Sequence, residues 1–312
     1  MPIRIYPFKK ICPPLALISL FTAMLLFPEP VLKGAGTGLL LWFNTVLPTL
    51  FPFILICNLL IQTKTVDILL HITSPLFCRF FNVSPYGSFA VLSGFLCGYP
   101  MGAKVTADLY RRDKITKTEA SYLLSFCNNT SPMFILSFLV MQSLNDNSLK
   151  LPILALLFLS PVIISLFTRP KGKNTSARIP APSACTSYAD ALDFSIGNAL
   201  ESITKVGVYI MIFAVFTELA NMLPGENTLL RLLLLSGLEI TNGITLLCQS
   251  GLAKETICIL CLFETSFGGL CAAAQTASMI KGTGIPVSSY LIKKLATALV
   301  TSLLAFLYFY LL

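Results

Sequence analysis

A proline and three glycines interrupt an apolar run at Leu92-Ser-Gly-Phe-Leu-Cys-Gly-Tyr-Pro-Met-Gly-Ala-Lys104. Gly94, Gly98 and Gly102 recur at spacing four, which on a straight helix makes one face of small residues for close packing. Tyr99-Pro100 favours an unwound turn instead, because proline lacks a backbone donor and disfavours helix at the residue before it. Inside a bilayer, such a turn persists only where protein or a wet cavity surrounds it.

Other apolar segments are interrupted in the same way. Residues 128–132 read Asn-Asn-Thr-Ser-Pro, so short hydrogen-bonding side chains precede a proline. In the second half, residues 229–249 form a hairpin candidate around two glycines, and residues 264–269 read Glu-Thr-Ser-Phe-Gly-Gly. Interrupted hydrophobic segments at corresponding places in two halves are typical of transporters whose binding site lies near the midplane.

The composition excludes a soluble domain. Of the 312 residues, 55% are hydrophobic and only 12% are charged, and the mean hydropathy is +0.80, whereas soluble domains carry about 25% charged residues. Apolar runs long enough to span a bilayer recur along the chain, so we predict an integral, multi-pass protein in a lipid bilayer. The net charge of +8 resides in short loops between these runs, which indicates membrane orientation and not nucleic-acid binding.

The basic residues predict that the N-terminus is cytoplasmic. Most of the 22 Lys and Arg residues fall in segments that we place inside, including Lys293 and Lys294. Four fall in segments that we place outside: Lys33, Lys150, Arg231 and Lys254.

This pattern predicts an all-α polytopic membrane protein with two inverted repeats. Each repeat would hold a spanning helix, a re-entrant helical hairpin and a broken helix. We assign an N-terminal transmembrane helix to residues 1–32, a first repeat to 33–168, a basic cytoplasmic linker to 169–193 and a second repeat to 194–312. Residues 68–103 fit either a hairpin or two short spans.

Ionisable residues inside apolar spans are candidates for function, because each costs about 2.5–3.5 kcal/mol at a helix centre. Lys205 lies four residues after Glu201, so it forms either a structural helical pair or a cation that faces the solute. Glu239 and Glu264 lie beside the interruptions of the second half. Each would take up a coupling proton or help to hold Na⁺, or else cap a helix.

The predicted solute site combines these interruptions, and free backbone N–H groups at a helix start would suit an anion. Its members are Gly98, Tyr99, Pro100, Gly102, Asn128, Asn129, Thr130, Ser131, Lys205, Glu239, Thr241, Asn242, Glu264, Thr265 and Ser266. We predict no metal site, no cofactor other than a coupling Na⁺ or H⁺, and no enzymatic activity. The chain has one histidine, and no nucleophile and base stand in a recognisable arrangement.

Two segments carry a family resemblance: Gly94-Phe-Leu-Cys-Gly-Tyr-Pro-Met-Gly-Ala-Lys104 and Ser125-Phe-Cys-Asn-Asn-Thr-Ser-Pro132. With the basic linker between them, they resemble the YlbJ-type sporulation integral membrane proteins of endospore-forming bacteria. Those proteins are placed in the nucleoside-recognition (Gate) domain group, which is similar to concentrative nucleoside transporters. In the second half the resemblance rests mainly on topology. Met101 departs from the small residue that follows Gly-Tyr-Pro in related sequences.

The resemblance implies transport of dipicolinate, a small aromatic dicarboxylate, from the mother cell toward the forespore. The protein would then reside in the cell membrane or the outer forespore membrane, alone or as a homo-oligomer. Two alternatives stay open at this point. One is a nucleoside or nucleobase as the solute, and the other is a non-transporting membrane scaffold in spore assembly.

Overall fold

In a computed structural model, the chain is described at residues 8–63, 65–170, 187–222 and 229–311, and every regular element in these ranges is helical. The predicted all-α class is therefore confirmed. Most of the predicted linker, residues 171–186, lies outside the described residues. The α-helices are α1 Phe8–Leu26, α2 Pro28–Leu41, α3 Leu47–Gln62, α4 Val66–Phe81, α5 Pro85–Cys97, α6 Met101–Arg111, α7 Lys117–Leu123, α8 Lys150–Thr168, α9 Tyr188–Asn221, α10 Leu229–Ser236, α11 Ile240–Cys248, α12 Lys254–Phe267, α13 Gly269–Met279 and α14 Val287–Leu311.

Five helical stretches are long and apolar enough to cross a membrane within the described ranges. They are Pro28–Gln62, Asn147–Thr168, Tyr188–Asn221, Lys254–Met279 and Val287–Leu311. A further apolar pair, Ser74–Phe81 with Pro85–Cys97, bends by 91° at its break. The protein is therefore an integral membrane protein with several spans, as its composition predicts.

The first long stretch runs from α2 through a π-helical turn at Trp42–Val46 into α3. Gly34 and Gly38 let α2 approach α9 closely, since a Cβ on either glycine would lie 2.8 or 2.7 Å from the Cα of Val215 or Met211. Helix α2, which crosses residue 32 without a break, therefore packs closely on α9.

Helices α5 and α6 form a helical pair in the first half. Before them Asn82 is left-handed, and Ser84 caps α5 by accepting a hydrogen bond from the Gly87 N–H. Helix α5 ends at Cys97, and α6 begins at Met101 after Gly98 and a cis Tyr99–Pro100 peptide bond. Gly98 has a φ of +83° and a ψ of −165°, a region that is almost confined to glycine. The predicted unwound turn at Gly98 is confirmed.

The predicted break in the first half is also present, because residues 128–131 have no helical structure. A π-helix at Phe134–Ser143 and a short 3-10 turn at Asn147–Leu149 then lead to α8.

The second half contains a shorter hairpin, in which α10 and α11 are joined through Glu239. The break that follows lies at Gly268, which is left-handed with a φ of +87°. The sequence placed its start at Glu264, and this was four residues too early. Glu264 still belongs to the last turn of α12, since its carbonyl oxygen accepts the Gly268 N–H at 2.7 Å.

Helix α8 has 19 residues and is therefore about 28 Å long, close to the thickness of a bilayer core. Residues near its two ends can thus be assigned to opposite sides of that core. At its start, Asp146 accepts a hydrogen bond from Lys254 at 2.7 Å. Beyond its end, the carbonyl oxygen of Pro170 accepts a hydrogen bond from Asn82. Lys114 lies near that end, over the ring of Tyr86. Lys114 and Lys254 therefore lie near opposite ends of α8.

Candidate functional site

A cavity of about 130 Å³ lies where the interrupted segments of the two halves meet. Its volume approaches the roughly 150 Å³ that accommodates a single benzene ring in a protein core. Five of the predicted site residues line it: Tyr99, Thr130, Ser131, Glu239 and Thr241. The remaining wall is mostly apolar and includes Leu41, Val46, Leu50, Cys97, Met133, Phe134, Phe138, Val206, Ile210, Ile240, Cys271 and Ala272.

The breaks of the two halves contact each other directly beside this cavity. The Tyr99 hydroxyl donates to the carbonyl oxygen of Ser266 at 2.9 Å, and the Thr130 hydroxyl donates to that of Thr265 at 2.6 Å. A Cβ on Gly268 would lie 2.7 Å from the Tyr99 ring, so only glycine fits there. The carbonyl oxygens at the end of α12 are thus satisfied by the first half of the chain.

Glu239 is the acidic group of the cavity, and it is only 3% exposed. Its Oε2 accepts the backbone N–H groups of Thr241 at 3.1 Å and Asn242 at 2.9 Å, so the carboxylate caps α11. The same side chain therefore fixes the start of a helix and presents a carboxyl group to the cavity. Gln275 adds an amide group to the lining.

Asn128 does not line the cavity but joins three elements behind it. Its Oδ1 accepts the Ala103 N–H at 3.2 Å, and its Nδ2 donates to the hydroxyls of Thr276 at 2.9 Å and Tyr290 at 3.0 Å. The sequence predicted a ligand here. The structure shows that the side chain bonds α6, α13 and α14 to the first break.

Lys294 is buried at the same break, with 1% of its surface exposed. Its Nζ donates to the carbonyl oxygen of Asn128 at 3.1 Å and to Oδ1 of Asn129 at 3.2 Å, and it lies 5.0 Å from the centre of the Tyr99 ring. The sequence analysis counted this lysine among those of the inner segments and did not predict that it is buried inside the protein. Tyr99 separates the Lys294 ammonium from the cavity.

Glu264 is a second buried acid, 3% exposed, and lies apart from the cavity lining. Its Oε1 accepts the Ser236 hydroxyl at 3.1 Å, whereas its Oε2 has no hydrogen-bond partner within the described part of the chain. Nearby, the Ser266 hydroxyl accepts a bond from Thr301 at 2.9 Å. These contacts hold the end of α12 between α10 and α14.

Lys205, another predicted site residue, does not line the cavity and is exposed. Its ammonium pairs with Glu201 at 2.5 Å, and the two side chains are 50% and 64% exposed. Of the two interpretations drawn from the sequence, a structural helical pair with Glu201 or a cation that faces the solute, this geometry matches the structural pair. Gly98 and Gly102 allow close backbone packing around the turn, since a Cβ on Gly102 would clash with the carbonyl oxygen of Cys127.

Gln275 and Lys294 were missed by the sequence analysis. A signal for Lys294 does exist, because the buried residues of α14 recur every three or four positions as Tyr290, Lys294, Thr297, Ala298, Thr301 and Ala305. A polar stripe of this kind in an apolar helix marks a face directed at protein. Gln275 has no comparable pattern.

The fold and the site together define a polytopic, all-helical membrane protein whose broken helices line a small, mostly apolar cavity. Among known proteins, the chain is similar to the sporulation integral membrane protein YlbJ of Bacillus subtilis strain 168. The two are 26% identical over an alignment of 305 positions that covers 86% of this chain and 75% of YlbJ. No protein-family model matches the chain, and no solved structure does.

Proposed function

We propose that the protein transports a small organic anion across its membrane, with dipicolinate moved from the mother cell toward the forespore as the cargo. The observation that carries this proposal is the ring-sized cavity at the junction of the two broken segments. Broken helices inside a bilayer are tolerated around a substrate site. The similarity to a sporulation integral membrane protein supports the sporulation setting.

The proposal includes an inverted repeat of the two halves. In each half a hairpin precedes a broken segment and then a long helix: α5 and α6 before residues 128–131 and α8, and α10 and α11 before Gly268 and α14. This shared order, together with the contacts between the breaks, supports a site at the midplane. Rocking of one half against the other would then open the cavity to each side in turn.

The cavity wall supports an aromatic cargo through Tyr99, Phe134 and Phe138, and hydroxyls of Thr130 and Ser131 would bond its polar groups. A positive potential from Lys294, behind Tyr99, would favour a carboxylate. Glu239 opposes an anion unless it is protonated.

A nucleoside or nucleobase is the second candidate, and the position of Glu239 and Gln275 on the lining favours it. Carboxylate and amide side chains recognise the donors and acceptors of a base edge. In this case the Tyr99 ring would stack on the base.

For coupling, we propose that Glu264 takes up a proton during the transport cycle. Its Oε2 is buried and has no hydrogen-bond partner among the residues that the structure describes. Protonation would remove the free-energy cost of burying an unpaired carboxylate oxygen.

Uptake into proteoliposomes tests the function directly, with labelled dipicolinate and labelled uridine compared with and without a proton gradient and with Na⁺ or choline outside. We expect dipicolinate uptake that Thr130→Val reduces at least roughly tenfold, since it removes a cavity hydroxyl. Thr245→Val, at an exposed position of α11 away from the lining, is the matched control. Uptake of uridine alone would overturn the cargo, and uptake of neither solute would favour a scaffold.

A further inference from the structure

We propose that the ammonium of Lys294 is a tethered cation that occupies the place where a coupling cation would otherwise bind at the first break. The inference deepens the proposed transport function and rests on it for its uptake measurement. Its stability measurement does not require transport.

Each partner of the Lys294 ammonium either accepts a hydrogen bond or attracts a cation. The Asn129 amide is oriented by its Nδ2, which donates to the carbonyl oxygen of Phe126 at 2.5 Å, so its Oδ1 points at Lys294. The carbonyl oxygen of Asn128 is a second acceptor, and the face of the Tyr99 ring attracts a cation. An ammonium group has three donors and no acceptor, and these three partners match it.

The charge has no acidic neighbour to neutralise it. Among the described residues, no carboxylate lies within 4.0 Å of Nζ. An intramembrane lysine that is held by oxygens and a ring, and not by an acid, is costly and indicates a function. A purely structural pair would resemble Lys205 with Glu201.

The oxygens around Lys294 are those that a broken segment offers to a metal ion. Where a helix unwinds, the freed backbone carbonyl oxygens coordinate Na⁺ in many transporters. Here the break at residues 128–131 directs one carbonyl and one amide oxygen at a lysine side chain from α14. The fixed ammonium therefore supplies the charge without a free ion, and the protein does not need Na⁺ at this position.

The same charge lies directly behind Tyr99, which lines the cavity. A cargo carboxylate stacked on the cavity side of Tyr99 would experience it across a single ring. Lys294 would thus fulfil two roles, replacing a coupling cation and favouring an anionic cargo.

The stability measurement compares the melting temperature of the purified protein in chloride salts of Na⁺, methylammonium and choline at equal concentration. The wild type is expected to melt at the same temperature in all three. Lys294→Ala is expected to melt lower in choline and to recover by roughly 3 °C or more in Na⁺ or methylammonium, with saturation, because a small cation refills the vacated site. Lys293→Ala, on the adjacent half-buried lysine, is expected to show no such response.

Two results would overturn the proposal. One is a Lys294→Ala protein that responds to none of the cations, and the other is a wild type that Na⁺ stabilises relative to choline. The second result needs no variant, so the test holds even if Lys294→Ala does not fold. In proteoliposomes, wild-type uptake is expected to be unchanged when choline replaces Na⁺, and Na⁺-dependent uptake would contradict the proposal. An inactive wild type with the predicted cation responses would count against transport while leaving the tethered cation intact.

Discussion

Asn128 illustrates, at the scale of one residue, how a break inside a membrane is stabilised. Its amide makes three hydrogen bonds to α6, α13 and α14. Asn128→Ala would leave the Ala103 N–H buried without an acceptor, which costs about 1–3 kcal/mol. We expect a melting temperature several degrees lower in detergent, whereas Asn147→Ala, at an exposed position, should change it little. An unchanged melting temperature for Asn128→Ala would contradict this role.

Gly98 is required by the conformation of its backbone. Its dihedral angles fall in a region that costs other residues about 1–3 kcal/mol, and a Cβ there would lie 2.6 Å from the Ser131 nitrogen. Gly98→Ala should therefore lower the melting temperature and the yield of folded protein. Gly197→Ala is the control, because nothing lies within 4 Å of its Cβ in α9. Equal stability of the two variants would argue against the turn.

Glu239 distinguishes the two candidate cargos. Glu239→Gln keeps an oxygen for the Thr241 and Asn242 N–H groups, so α11 stays capped, while the negative charge is lost. For an anionic cargo we expect a KM lower by roughly fivefold, because a like charge costs about 1 kcal/mol. Weaker uptake of the anion by Glu239→Gln would contradict an anionic cargo.

Single residues were predicted unevenly from the sequence. Tyr99, Thr130, Ser131, Glu239 and Thr241, the predicted residues that line the cavity, flank visible interruptions. Lys294 was not, since two adjacent lysines resemble a membrane-surface pair until the buried stripe of α14 is considered.

At the scale of elements, one ion pair joins the loop before α8 to the start of α12. Lys254 beside Asp146 lowers the pKa of that carboxyl from 3.8 to about 2. A lowered acidic pKa stabilises the fold above pH 3.8, and the contribution is lost as the pH falls toward 2. We therefore expect Asp146→Asn to melt slightly lower than wild type at pH 7, with the difference shrinking below pH 4.

High salt provides the control for this prediction, because the pair is at the surface and Lys254 is 63% exposed. At about 1 M salt the difference between wild type and Asp146→Asn should nearly vanish at pH 7. A difference that is undiminished at pH 2 would assign the effect to packing instead of charge.

Interruptions were the elements that the sequence predicted best. Glycine and proline act locally, so the turn at Gly98 and the break at residues 128–131 follow from the residues themselves. The second break was placed too early, because Glu264, Thr265 and Ser266 are polar and yet remain helical where neighbouring segments contact them. Such tertiary contacts are invisible in one sequence.

At the scale of the whole molecule, hydropathy alone predicted an all-helical, multi-pass membrane protein. It could not predict which helices meet, since lipid and protein present similar apolar surfaces to a spanning helix. The packing of α2 on α9 across the two halves is an example, and it depends on glycines Gly34 and Gly38. The repeat boundaries and the opposed orientation of the halves remain predictions.

Labelling of one cysteine on each half tests this opposed orientation most directly. In a background whose ten cysteines are replaced by alanine, Lys114→Cys and Lys254→Cys would each be treated with a membrane-impermeant maleimide on intact cells and on inverted vesicles. Ser148→Cys, near Lys254 at the start of α8, is the control for that end. We predict that Lys254→Cys and Ser148→Cys label from one side and Lys114→Cys from the other. Labelling of Lys114→Cys and Lys254→Cys from the same side would contradict antiparallel halves and the cavity between their breaks.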